Sequence, residues 1–505
     1  MTIRVTLLAA LLLICASQLP AKPKKVKVEW RTTEYESGNV HEKYAVQVTE
    51  GGSETRWGDY TEWYENGRKA AEGEYEDGKR QERWTWYWEN GERKESGFYE
   101  AGVEWNDWTS WHPNGKKASE GKYAEGKQHK KWNWYWEDGK KKEEQYFELG
   151  VKVGRNVTWY ENGQRSSQGE WKEGKRDGNW EWWHENGETK TTGKYDMGEK
   201  VDKWEGWYEN AQQSEYHDFK GPDRTGKWRT WYENGNPKAE GEAFNYKRHG
   251  EWAFYHELGG RSSAGKFDNG MRVGTWTYWH ENTAKKATGT YTEGVQTGTW
   301  TYWHDNGKKY TEGQMVDGGR SGAWVSWYEN GKKAVEACYT ENYLNGAWVR
   351  YHENGEKAAE GKYIDGMQED IWTFWYDNKI KRGAGTYKEG LKTGEWSTWH
   401  RNGSLESHGS YSEDGITGLW EYWYDDGSKR LTQSWKDGLR EGPWTWYYKG
   451  GKLRAQGNFK ANWLDGWYRE YDQTGKATFE KFYKDGYESD PPEESEEGED
   501  KPEDG

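Results

Sequence analysis

Leucine, isoleucine and valine are thinly scattered along this chain, proline occurs 9 times in 505 residues, and cysteine twice. Each shortage excludes something. Without aliphatic side chains no conventional core can form, and any buried apolar area must come from elsewhere. With only Cys15 and Cys338, neither a disulfide framework nor a cysteine metal site can be built. The net charge is −15, and no basic stretch offsets it, so a nucleic-acid partner is not expected. What the chain does have is 40 Trp, 37 Tyr and 66 Gly. A charged fraction of 32% at this low hydrophobicity would suit a disordered chain, but disordered chains are poor in aromatics. The composition therefore describes a folded protein whose apolar area is supplied by rings.

The ends differ from the middle. Residues 1–21 hold Arg4, an apolar run from Val5 to Ala16 and then small, turn-prone residues, the layout of a secretory signal peptide. The run is too short to span a bilayer, so no integral membrane span is expected once it is cleaved. Export to a bacterial envelope follows, as a periplasmic or secreted protein. From 488 to 505 ten acids face one lysine, so residues 487–505 read as a disordered acidic tail.

Between these ends the chain repeats itself without insertion. Starting at Gly67 and stepping by 24 reaches eighteen positions, fifteen of them Gly; Ala211, Thr283 and Lys379 are the exceptions, each after an Asn. A fixed period outranks any local reading. Each unit carries two turn signals. Asn-Gly, as at Asn306-Gly307, is expected to form a two-residue type I′ hairpin turn, which needs positive φ twice. A second glycine follows eleven residues later, as at Gly78. The turns leave strands of six to eight residues, so the fold class expected is all-β, an elongated single-sheet solenoid of about 18 stacked 24-residue β-hairpins over residues 57–486. Residues 22–56, with an alternating "KVKVEW" and a mis-spaced "YESG", read as an N-terminal β cap with a degenerate repeat.

A two-residue turn sets the register. Glu65 should face Arg68 and Asp305 should face Lys308, giving opposite-charge cross-strand pairs. Trp84 should meet Gly97, Trp108 Gly121, and Trp300 Gly313, each indole covering a bare glycine across the ladder. Further aromatic columns should stack into ladders.

Chemistry is harder to find. Seven histidines share the column three before the anchor glycine (His112, His184, His256, His280, His304, His352 and His400). Equivalent atoms in successive hairpins lie roughly 10 Å apart, whereas zinc ligands sit about 2 Å from the metal. Tyr replaces His in many units, so the column reads as an interchangeable flat ring with a polar tip. No catalytic constellation or phosphate loop stands out, and a site needs a unique place where this chain has copies. No enzyme, cofactor or metal is expected. The columns five and three before the anchor vary most among aromatics: Trp86 and Trp88, Trp134 and Trp136, Trp182 and His184, Tyr302 and His304. As an exposed strip beside lysines such as Lys141 and Lys309, these would form the binding surface.

"GTWTYWHDNGKKYTEGQMVDGG" from Gly298 and "GEWSTWHRNGSLESHGSYSEDG" from Gly394 resemble MORN repeats, closest to the bacterial variant described as antitoxin-like. The resemblance covers residues 57–486 and implies stacked β-hairpins in one sheet, with a scaffolding or binding role. An antitoxin acts in the cytoplasm, which does not suit an exported chain. The expected function is therefore a non-catalytic exported scaffold for a protein partner. The alternatives are a cell-wall or polysaccharide binder using exposed aromatic ladders, and peripheral lipid contact.

Overall fold

The computed structural model describes residues 26–492; the expected signal peptide and most of the acidic tail lie outside the described residues. The chain divides into two units, Met1–Gly221 and Pro222–Gly505. In the first, sixteen strands from β1 (Lys27–Glu34) to β16 (Gln213–Phe219) each pair antiparallel with the next in the chain. The second runs from β17 (Gly226–Trp231) to β40 (Tyr487–Glu488) in the same way, except that β36 (Leu453–Lys460) pairs with both β37 (Trp463–Leu464) and β38 (Gly466–Tyr471). There is no helix among the described residues. The expected all-β hairpin meander is what forms. Typical strands have eight and nine residues rather than six to eight, because bulges lie inside them.

The type I′ geometry expected at Asn-Gly forms at the second turn instead. At Asn66-Gly67 the Gly67 N–H donates to the Tyr64 carbonyl (2.9 Å) and the Tyr64 N–H to the Arg68 carbonyl (2.8 Å). Only Gly67 has positive φ, at 81°. This is a type I turn closed by a glycine bulge, a three-residue loop. The type I′ turn is the other one: Asp77 and Gly78 have φ of 50° and 76°, and Glu76 pairs directly with Lys79. At Ala211, Thr283 and Lys379 the substituted residue itself takes the left-handed conformation, at 62°, 71° and 72°, and the Asn before it does not.

Asparagine is therefore selected by its side chain. Asn306 Oδ1 accepts the Lys308 N–H (3.0 Å), an Asx-type closure, while Nδ2 donates to the Glu329 carbonyl of the next hairpin (3.1 Å). The wider loop also removes the expected charge pairs. Glu65 and Asp305 lie inside the loop, and Tyr64 and His304, not the acids, bond across to Arg68 and Lys308. Lysine instead reaches a glutamate three residues on along its own strand, as in Lys69–Glu72 (2.6 Å) and Lys309–Glu312 (2.8 Å).

A bulge beyond the loop restores the expected register, and Trp84 pairs with Gly97, Trp108 with Gly121 and Trp300 with Gly313. The rings, however, do not cover those glycines. Trp84 leans back over Gly73 of the preceding hairpin; Gly97 lies under Trp108, Gly121 under Trp132 and Gly313 under Trp324. A Cβ on Gly289 would stand 2.1 Å from Trp300, so nothing but glycine fits beneath the indole. The lean is built into the backbone. Across the Trp strand the register passes from Thr85–Glu72 to Gln81–Glu74, two extra residues on the indole side, and Glu82 turns with φ 54°. Gly298 (φ 68°) does this before Trp300, which explains the glycine that opens the Gly-x-Trp motif. The indole N–H then reaches a backbone carbonyl that the bulge leaves open: Trp84 to Glu74 (3.0 Å), Trp300 to Thr290 (3.2 Å). Ring area and polar satisfaction are thus obtained together.

Replacing Gly289 by Gln should destabilise the chain by about 1–3 kcal/mol through overpacking against Trp300. The double variant Gly289→Gln/Trp300→Asn copies the natural Gln145–Asn156 pair. By denaturant titration it should lose less than the sum of the single losses by about 1 kcal/mol or more.

Candidate interaction surface

Each sheet has a ring face and a charged face. On the ring face, the column seven before the anchor glycine supplies buried indoles such as Trp84, Trp276 and Trp300. The column eight after the anchor stands edge-on to them, as Tyr75 to Trp84 (5.0 Å, 83°) and Tyr291 to Trp300 (5.2 Å, 90°). Over both lies a cation that sequence reasoning missed. The Arg80 guanidinium sits 4.8 Å from the Trp84 ring, 5.3 Å from Trp86 and 5.5 Å from Tyr99, and donates to the Tyr99 hydroxyl (3.3 Å). Arg272 and Arg320 occupy the equivalent place. Their signal was present, as a basic residue two after the type I′ glycine in many units. In sequence it looks like one more solvated charge. Cation–π contacts of this kind contribute about 0.5–2 kcal/mol.

The eight rings expected to form one exposed strip fall into two groups, and all are half-buried. Trp86, Trp134, Trp182 and Tyr302 lie on the ring face, stacked on Trp84 (5.7 Å), Trp132 (5.7 Å), Trp180 (5.5 Å) and Trp300 (5.8 Å). Trp88, Trp136, His184 and His304 sit in the type I turns. Their ring nitrogens bond carbonyls of the next hairpin: Trp88 to Trp111 (3.0 Å), Trp136 to Trp159 (3.2 Å), His184 to Trp207 (2.8 Å) and His304 to Trp327 (2.9 Å). Tyr64 and Tyr328 do the same with their hydroxyls, to Tyr87 and Tyr351 (2.6 Å each). The column takes Trp, Tyr or His because each carries a donor at the ring's edge; Nε2 must hold the proton in the histidines. Among the described residues no group of three or more His, Cys, Asp or Glu side chains is placed to hold a metal.

Lys141 and Lys309, expected beside that strip, lie over Trp159 (5.5 Å) and Trp327 (5.6 Å) on the charged face. There a lysine and a ring hydroxyl share one carboxylate: Lys117 and Tyr135 on Glu120, Lys333 and Tyr351 on Glu336. Glu120 and Glu336 are held below the usual carboxylate range, first by the lysine and then by the tyrosine. Tyr351 is pushed up to about 12, by burial and then by Glu336.

Two expectations follow. His304→Tyr should leave stability nearly unchanged, whereas His304→Phe should cost about 1 kcal/mol by leaving the Trp327 carbonyl without its donor, read from paired denaturation curves. Melting temperature should fall on both flanks of a neutral plateau. A depressed carboxylate contributes above the ordinary value near ~4.3 and is lost as pH falls; a raised tyrosine contributes below ~10 and is lost as pH rises. Glu336→Gln should flatten the acid flank and Tyr351→Phe the alkaline one.

The model of the MORN repeat variant matches residues 176–197, 224–245, 296–317, 320–341, 344–365, 392–413 and 440–461. All seven stretches start in phase with the 24-residue period, and five of them run from one type I′ turn to the next. Among curated proteins none matches. Among solved structures, the crystal structures of TcdB2-TccC3-Cdc42 and of TcdB2-TccC3 without hypervariable C-terminal region align with 90% of this chain and with 30% and 32% of theirs, at 9% identity and a TM-score of 0.13. The chain spans about a third of those chains, at a distance that supports no argument. The phased matches and the hairpin geometry agree: the chain belongs to the MORN-repeat family, in its repeat-variant form.

Proposed function

We propose that the chain is a non-catalytic, exported repeat scaffold that docks a protein partner along hairpin tips of the second unit. One observation carries the reading. The column directly after the type I′ turn is mostly charged in the first unit: Lys79, Lys127, Lys175 and Glu199, with Val103 and Val151 between. In the second unit the same column opens on Lys247 and then, from 271 to 463, reads Met271, Val295, Tyr343, Met367, Leu391, Leu439 and Trp463, interrupted by Gly319 and Gly415. All seven side chains are exposed, Tyr343 by 65%, Leu391 by 63% and Trp463 by 62%. Val316 and Ile364, exposed across the turn, extend the stripe. Successive members stand roughly 10 Å apart, two strand spacings.

A periodic apolar row costs solubility unless something covers it. Its mixture of methionine, branched and aromatic side chains suits the core of a protein interface. Sugar binding along the aromatic ladders would ask for flat faces that neighbouring rings and guanidinium groups already occupy. Export rests on the apolar run from Val5 to Ala16, and absence of catalysis on the near-identity of the units. A photoreactive residue at position 391 should crosslink one discrete protein in envelope extract, and the triple variant Tyr343→Glu/Leu391→Glu/Trp463→Glu should abolish the product with its circular dichroism unchanged. No product, or the same product from a probe at position 127, would refute the reading.

A further inference from the structure

The glycine beneath the indole is replaced in a few units, and two replacements by glutamine can be compared. Gln145 is fully buried, and its Nε2 donates to the Tyr146 (2.6 Å) and Val153 (3.1 Å) carbonyls. The amide fills the seat of the ring and takes over its hydrogen bond, and the residue that would carry the indole is Asn156. Gln433, only 4% exposed, does the same, with Nε2 on the Ser434 carbonyl (2.7 Å). Here the tryptophan has been kept. With its seat taken, Trp444 lies forward against Gly457 of its own hairpin and stacks on Tyr468 at 5.9 Å. Its indole N–H is buried with no acceptor. Arg440 has moved too: instead of roofing its own indole, as Arg80 does, its guanidinium lies 4.2 Å from the Phe459 ring.

The displacement leaves an open groove of about 1050 Å³ on the ring face, walled by Leu431, Trp435, Trp444 and Trp446 and flanked by Arg430 and Arg440. Trp435 adds a second buried indole N–H without an acceptor. Phe459 offers Arg440 no hydroxyl such as Tyr99 gives Arg80. Among the described residues neither Arg430 nor Arg440 has a carboxylate at ion-pair distance. At about 1050 Å³ the groove lies just above the usual size of a small-ligand site, about 300–1,000 Å³, and it occurs where the repeat is broken.

We propose that this groove binds a carboxylate-bearing sugar of the uronic-acid class. The C–H face of a pyranose stacks on an indole wall, the carboxylate takes the guanidinium donors, and ring oxygens and hydroxyls supply acceptors that the site lacks. A purely apolar ligand would bury two guanidinium groups unpaired, and a small inorganic anion would leave the indole walls uncovered. The inference goes beyond the scaffold reading and stands whether or not the tip column docks a protein.

Calorimetric titration of the full chain tests it, using a galacturonic acid tetramer as probe, its methyl ester as the neutral ring and tetraglutamate as the acid without a ring. Saturable binding of the tetramer is expected, at least tenfold weaker for both comparators. Arg440→Gln should weaken it tenfold or more. Gln433→Gly should restore the glycine seat, let Trp444 return and close the groove, abolishing binding while the melting temperature holds or rises. Absence of saturable tetramer binding, equal binding of tetraglutamate, or undiminished binding by folded Gln433→Gly would each overturn the proposal.

Discussion

An indole lying flat on bare backbone is the contact on which the rest of this structure depends. A sheet normally buries one face against a second layer, and the described strands of each unit pair only with their chain neighbours, β36 also reaching β38. The second layer is replaced by the side chains themselves: an indole seated on glycine, a tyrosine edge-on to it, and a guanidinium above both. The arrangement constrains three positions at once. The residue beneath must be glycine, because a Cβ would fall inside the ring. The strand carrying the indole must hold two extra residues, so one of them adopts positive φ. The ring must carry an N–H for the carbonyl that the bulge exposes, a role tryptophan fills and phenylalanine cannot.

The turns obey a parallel constraint. A type I turn with a glycine bulge leaves a ring and an amide at the hairpin end, and both are spent on carbonyls of the following unit. Repeats are therefore tied at the turn by side-chain donors as well as along the strands by the ladder. This accounts for a column in which Trp, Tyr and His alternate freely: hydrophobic size varies widely among them, and an edge donor is what they share. It also accounts for asparagine, whose oxygen closes its own turn while its nitrogen reaches the next.

Where the repeat departs from itself, each change can be read against the regular pattern. Gln145 with Asn156 is compensated on the donor side, since the amide Nε2 takes over the indole's hydrogen bond, while the buried Gln145 Oε1 has no partner. Gln433 with Trp444 is uncompensated and opens a groove with unused donors. The tip column of the second unit departs in another sense: its apolar side chains touch the turn glycines of the next hairpin, as Val295 does at Gly318 and Trp463 at Gly486, yet stay exposed. A scaffold of repeated units can carry function at such places without losing its ladder.

The period of 24, the antiparallel hairpins, the pairing of Trp300 with Gly313 and the family were legible in the chain, because period and alternation are properties of sequence order alone. The family-specific Gly-x-Trp spacing was visible too, though not its reason. Which turn took which geometry was not: Asn-Gly suits a type I′ turn locally, whereas the Asx closure of Asn306 onto Lys308 and its bond to a carbonyl 23 residues away go with the wider loop. That loop moved Glu65 and Asp305 out of register and sent Lys309 to Glu312. Nor could order along the chain say that each indole leans back, so that Trp300 covers Gly289 and not Gly313, since both glycines are neighbours in the sheet and only the bulge chooses between them. The rings of Trp86 and Trp88, two residues apart, were separated into a packed face and a turn by the same bulged, twisted backbone. Local sequence determined the ladder; the through-space competition for each carbonyl and each ring face decided which side chains remained available to a partner.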